Sequence, residues 1–168
     1  MKNSTFTLIH EIISEYECPF TDYEVHGFFT GIVLLKISDT DLDKKILAFM
    51  DIDDSSLPKS HELIECIRND FKAAKFNIRQ EGGGDYYSVS SSLSEWTYYF
   101  LIAFQTKNSS DLDDHRVIEI LDVFDEISQL NQKYKIDDDN DVNEESLNDI
   151  NDFIEKSVQY IFNKNDDK

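Results

Sequence analysis

Residues 25–35, VHGFFTGIVLL, are apolar in nearly every direction a helix could turn them. A helix of that kind has no face to offer water, so it belongs in the middle of a fold. A second run, LSEWTYYFLIAF at 93–104, has the same character. The two runs predict an all-α domain with two central helices, at about 22–36 and 93–105. A strand is the alternative for YYFLIAF, because short apolar runs are ambiguous. Helix is preferred because Ser92 and Glu95 are spaced as a capping box and no partner strand is evident. The first run is too short to span a bilayer.

The remaining segments are amphipathic. Phe6, Ile9, Ile13 and Tyr16 step by three or four residues. So do Leu63, Ile67, Phe71, Ala74 and Ile78, then Val117, Leu121, Phe124, Ile127 and Leu130, then Leu147, Ile150, Ile154, Val158 and Ile161. Each set forms one apolar stripe suited to packing on a core. Residues 40–50 predict a shorter helix. Thr21 with Glu24 and Asp141 with Glu144 also have capping-box spacing. The chain holds 2 prolines and 5 glycines, three of them in one run, which leaves long stretches uninterrupted. The expected architecture is one domain over 1–168, a bundle of about seven helices. Residues 79–92 are expected as a loop with Tyr86, Tyr87 and Val89 tucked on the core. Residues 133–141 should connect the last two helices, and 163–168 should fray.

The net charge of −19 argues against direct nucleic-acid binding, since phosphates need a basic footprint. It argues equally against adsorption to anionic lipid. Cys18 and Cys66 match no metal spacing and are expected as reduced thiols of a cytoplasmic protein. MKNSTFTLIHEIISEYE carries acids inside its apolar stretch and does not resemble a secretory signal.

Individual motifs offer little chemistry. In HGFFTG the cap at Thr21 starts the helix ahead of Gly27 and Gly31, so the glycines are not on a phosphate-binding turn. They fall one turn apart on one face. Each costs about 1 kcal/mol of helix propensity against alanine, and close helix packing is the natural compensation. The helix expected to cross there is the tryptophan helix, with Ala103 as one small contact. His26 is assigned a structural role first, with a base or ligand as the alternative. Asp51, Asp53, Ser55 and Glu62 match several calcium-loop positions, but Ser56 stands where the sharp turn needs glycine. A turn leading into a helix near Pro58 is the simpler reading. The acidic run from Asp137 lacks the bidentate glutamate. No G-x-S-x-G elbow is present, and the glycines at 82–84 lack the Lys-Ser/Thr of a phosphate loop. Trp96, Tyr98, Tyr99 and Phe100 suit core packing better than base stacking, because no basic residues accompany them. No catalytic, cofactor-binding or metal-binding residues are assigned, and no cofactor is expected.

YEVHGFFTGIVLL resembles the opening signature of the YgfB/YecA family of uncharacterised bacterial proteins, a phrase like E-L-H-G-F-L-T-G-L-L. SLSEWTYYFLIAF is similar to the family's second signature, in which a tryptophan precedes Gly-Phe-Leu-x-Gly-Leu. The segment from Val117 to Lys164 is similar to its closing helix pair with an acidic connection. The family-motif positions are His26, Gly27, Gly31, Trp96 and Ala103. Tyr99 stands where the family has a glycine, which predicts rearranged packing there. RQEGGGDYYS replaces the usual Leu-Pro-Asp-Asp phrase, and the cysteine-rich zinc-binding tail of longer members has no counterpart. The resemblance implies an all-α fold and a homodimer of the short YgfB type. It implies no known enzymatic reaction and no agreed catalytic residues. The expected function is a non-catalytic protein-interaction or regulatory module with an unidentified protein partner. A hydrolase or metal-dependent enzyme around His26 and an acidic nucleic-acid mimic are the alternatives. The enzyme reading requires His26 in an open cleft with a carboxylate in reach.

Overall fold

The computed structural model describes residues 4–35, 37–51, 53–78, 86–104, 114–129 and 141–166, with side chains in the last part of 86–104 from Ser92 and in 141–166 from Leu147 to Asn165. Seven α-helices and no strand lie among these residues. They are α1 Thr5–Glu15, α2 Asp22–Leu34, α3 Asp39–Met50, α4 Leu57–Lys72, α5 Tyr86–Phe104, α6 His115–Ser128 and α7 Asp141–Asp166. The chain is a single all-α domain.

Helix α2 starts where its sequence says. The Thr21 hydroxyl accepts from the Glu24 N–H at 3.2 Å, and Glu24 accepts from the Thr21 N–H at 3.0 Å. Every residue from Val25 to Leu34 is then buried. Burying each large apolar side chain contributes roughly 1.5–3 kcal/mol, so this helix anchors the core. It packs on α1, α4, α5 and α7, and its contact with α5 is the most extensive in the described fold. α5 in turn packs on α6 and α7. Buried hydroxyls on these two helices are satisfied locally. Thr30 donates to the His26 carbonyl at 2.7 Å, Thr97 to the Leu93 carbonyl at 2.9 Å, and Ser94 crosses to the Ile127 carbonyl of α6 at 3.0 Å.

Several boundaries differ from the sequence expectation. α5 begins at Tyr86, so 86–92 is helical and Ser92 lies inside the helix. Ser92 with Glu95 has capping-box spacing, but serine also tolerates a helix interior, so the spacing alone does not make a cap. α4 stops at Lys72, so Ala74 and Ile78 do not extend its stripe. Ala74 takes φ 54° and closes the helix with Lys75 N–H donating to the Asp70 carbonyl at 2.8 Å. Ile78 is nevertheless fully buried from the connector beyond. Of the stretch 163–168 expected to fray, 163–166 continue α7 and 167–168 lie outside the described residues. Lys164 pairs with Asp114, and Asn165 donates to the Leu34 carbonyl at 2.9 Å. The 79–85 loop, the packing of Tyr86, Tyr87 and Val89, the 133–140 connection and the Asp141–Glu144 cap lie outside the described residues or side chains.

Candidate functional site

The five motif positions converge on the α2–α5 crossing. A Cβ built on Gly27 would sit 2.2 Å from the Trp96 carbonyl oxygen. One on Gly31 would sit 2.7 Å from Ala103 Cβ and 2.8 Å from the Phe100 carbonyl oxygen. Real Cβ atoms do not approach so closely, so two backbones meet where only hydrogen fits between them. The contacts advance in the same direction along both chains, from Gly27 on Trp96 to Gly31 on Phe100 and Ala103, and the helices therefore run parallel. This is the crossing expected from the four-residue glycine spacing.

His26 sits beside this contact and is 1% exposed. Trp96 Nε1–H donates to His26 Nδ1 at 3.1 Å. Accepting at Nδ1 places the proton of the neutral ring on Nε2. Aromatic rings enclose the pair. Phe6 of α1 and Phe76 of the connector lie 4.9 and 5.3 Å from the His26 ring centre. Phe100 stacks on Trp96 at 5.3 Å, and Phe124 of α6 meets it edge-on at 6.4 Å. Burial in this shell pushes His26 down to about 3, so it is uncharged near neutral pH. Among the described residues, the open cleft and neighbouring carboxylate that the enzyme alternative requires are not found at His26. Neutral and sealed from water, His26 is in no position to exchange a proton with a ligand.

Tyr99 accommodates its bulk by packing beside the crossing. Its ring lies 5.6 Å from Phe20 and 5.3 Å from Phe49, both edge-on. Phe49 of α3 in turn stacks on Phe28 at 3.7 Å, so Tyr99 helps hold α3 to the core. Burial, with Glu24 beside it, raises its hydroxyl to about 12. Of the suspected stacking platform, Trp96 and Phe100 are fully buried and Tyr98 is 52% exposed.

Other candidates separate in space. Asp51 ends α3 in the left-handed region and Asp53 caps a short 3-10 turn at Ser55. Pro58 then occupies the first turn of α4, whose side bears Glu62 facing water. This is a turn and helix start, as the simpler reading expected. Among the described residues no three His, Cys, Asp or Glu side chains are placed to hold a metal ion. Cys18 is buried, which pushes its thiol up, and forms no disulfide with Cys66. The runs at 82–84 and 137–140 lie outside the described residues.

Two parts of the arrangement had no clear linear signal. Phe76 belongs to no helix, yet it stacks on both His26 and Phe71. Along α7, Glu155 accepts from the Ile78 N–H at 3.2 Å and Gln159 donates to the Phe71 carbonyl at 3.1 Å. These polar residues recur every four positions from Asn151 to Asn163, and that recurrence inside an amphipathic helix is the signal that could have found them.

No known family profile matches the chain, and no curated protein does. Among solved structures, the crystal structure of the lpg0076 protein from Legionella pneumophila is similar with a TM-score of 0.70. The match covers 96% of this chain and 95% of that one at 13% identity. At that identity the likeness shows a shared fold. No helix among the described residues is long and apolar enough to cross a membrane.

Proposed function

We propose that this protein is a non-catalytic protein-interaction or regulatory module of the short YgfB type, working in a bacterial cytoplasm. The observation that carries the reading is the commitment of His26. The histidine of the family-like motif accepts a hydrogen bond from Trp96 inside a closed aromatic shell. Its neighbours Gly27 and Gly31 are used up by helix contact. Function then falls to the surface, which is strongly acidic and presents Tyr98 and Ile102 one turn apart on α5, 52% and 37% exposed. Exposed aromatic and aliphatic side chains on an acidic background suit a partner with an apolar anchor and a basic rim. A homodimer belongs to the same proposal, following the family resemblance.

The test is affinity purification from the native cell with mass spectrometry, comparing wild type with a Tyr98→Ser/Ile102→Ser variant. The expected result is a partner enriched by wild type and lost from the variant, with helical circular dichroism unchanged. A purified protein that turns over a metabolite while enriching no partner would sink the reading. Sedimentation of the purified chain decides the homodimer.

A further inference from the structure

Helices α6 and α7 run antiparallel, with Asp114 beside Tyr160 at one end and Phe124 against Phe153 at the other. They leave an open groove of about 310 Å³ between them. Ile120, Val123 and Phe153 line its apolar part, and Val123 and Phe153 each remain 37% exposed there. Arg116 and Lys156 lie toward the opposite end, with Glu119 on the same rim. From Arg116 to Val123 the groove runs about 10 Å at the helical rise per residue.

The charges in this groove are unusual for the chain. Acids outnumber bases by 35 to 16, yet neither Arg116 nor Lys156 has a carboxylate within ion-pairing distance among the described residues. Arg116 is held instead 4.5 Å over the Tyr160 ring. That ring is fixed by its hydroxyl, which donates to Asp114 at 3.0 Å. A guanidinium seated on an aromatic face keeps donors free for an anion. Counting Glu119, the lining carries one net positive charge.

We propose that the α6–α7 groove binds a small monovalent amphiphile with one carboxylate head and a short alkyl tail. The head lies between Arg116 and Lys156, and the tail covers Ile120, Val123 and Phe153. The volume falls at the small end of ligand pockets, and the space between bundle helices is a common place for them. A single negative charge matches the lining. A large acidic protein partner does not fit as well, because it would meet the repulsion of the whole −19 surface, whereas a small ion seated in the groove lies closest to the three charges that line it. This inference does not depend on the partner proposal, which concerns the exposed face of α5.

The experiment is a nuclear magnetic resonance titration of the full chain with sodium octanoate below its micellar concentration, beside acetate and octylammonium. Octanoate is expected to bind saturably and shift the amides around Ile120, Val123 and Phe153. Acetate and octylammonium should bind at least about tenfold more weakly. An Arg116→Gln/Lys156→Gln variant should also lose about tenfold. A Val123→Asp variant, changed at a partly exposed position, should lose saturable binding while staying folded. Equal binding of octylammonium, or shifts centred away from α6 and α7, overturns the proposal. So does a leucine-terminated peptide that outcompetes octanoate, which would assign the groove to a protein tail. Shifts at the same amides on raising protein concentration alone would assign it to a second copy and overturn it as well.

Discussion

Gly27 and Gly31 both look like helix-weakening glycines, but their surroundings make different predictions. Alanine gains about 1 kcal/mol of helix propensity at either site. At Gly27 the new methyl would press on the Trp96 carbonyl, which is backbone and yields only if α5 moves. Gly27→Ala should therefore destabilise by roughly 3 kcal/mol in urea unfolding, since overpacking outweighs propensity. Gly31→Ala meets a side chain as well as the Phe100 carbonyl, so Ala103→Gly in the same chain should restore part of its loss. Full stability in Gly27→Ala would show that the helices do not meet there. His26 makes a second prediction. An unfolded histidine titrates near 6.5 and the folded one near 3, so the folded state refuses a proton that the unfolded state accepts. The stability held by neutral His26 is fully present above about pH 6.5 and is lost as pH falls toward 3, at up to about 1.4 kcal/mol per unit. His26→Gln keeps an acceptor for Trp96 without the titration. Its unfolding free energy should fall less steeply over that window, and parallel curves would remove His26 as the cause.

The helices differ in how openly the sequence announced them. α2 and α5 were legible because all-round apolarity leaves only the interior, and the Thr21 cap marked one start unambiguously. The start of α5 was not legible. Serine is only modestly worse than alanine in a helix, so tertiary context lets a polar segment extend one. The end of α4 was hidden by its chemistry. Glycine normally marks a left-handed helix stop, but here Ala74 fills that place at φ 54°. Because Ala74 also continued the apolar spacing, it looked like one more helical residue. The His26–Trp96 pair was invisible for another reason, since 70 residues separate its members and no local pattern joins them. Ala74 yields the prediction at this scale. An L-residue in the left-handed region is strained, and Ala74 is exposed with room for the change. Ala74→Gly should stabilise the protein by about 1 kcal/mol, seen as a higher urea midpoint at unchanged slope. A lower midpoint would mean that the turn carries no such strain.

Across the whole molecule, charge repulsion opposes compaction. The ion pairs Lys59–Glu11, Lys59–Glu15 and Lys164–Asp114 lie at the surface, where a pair contributes about 0–1 kcal/mol. The excess of 19 negative charges acts on all parts of the fold. Salt weakens both the attraction and the repulsion, and with 35 acids to 16 bases the repulsion is expected to be the stronger of the two. Raising ionic strength from about 0.01 M to about 0.15 M shortens the screening length from about 30 to about 8 Å. The melting temperature should rise, by roughly 2–4 °C for each kcal/mol of repulsion removed. A fall on adding salt would place the balance with the ion pairs. The parallel seating of α2 on α5 also has a consequence during synthesis. α2 leaves the ribosome about 70 residues before the tryptophan that caps its glycine face. At roughly 5–20 residues per second, that face waits about 4–14 s for its partner. α1 is already made and α4 follows within that interval, and both pack on α2, so the nascent chain can shield part of its central helix but not the glycine stripe. The stripe on α2 is therefore a surface that a ribosome-bound chaperone would find open until α5 emerges.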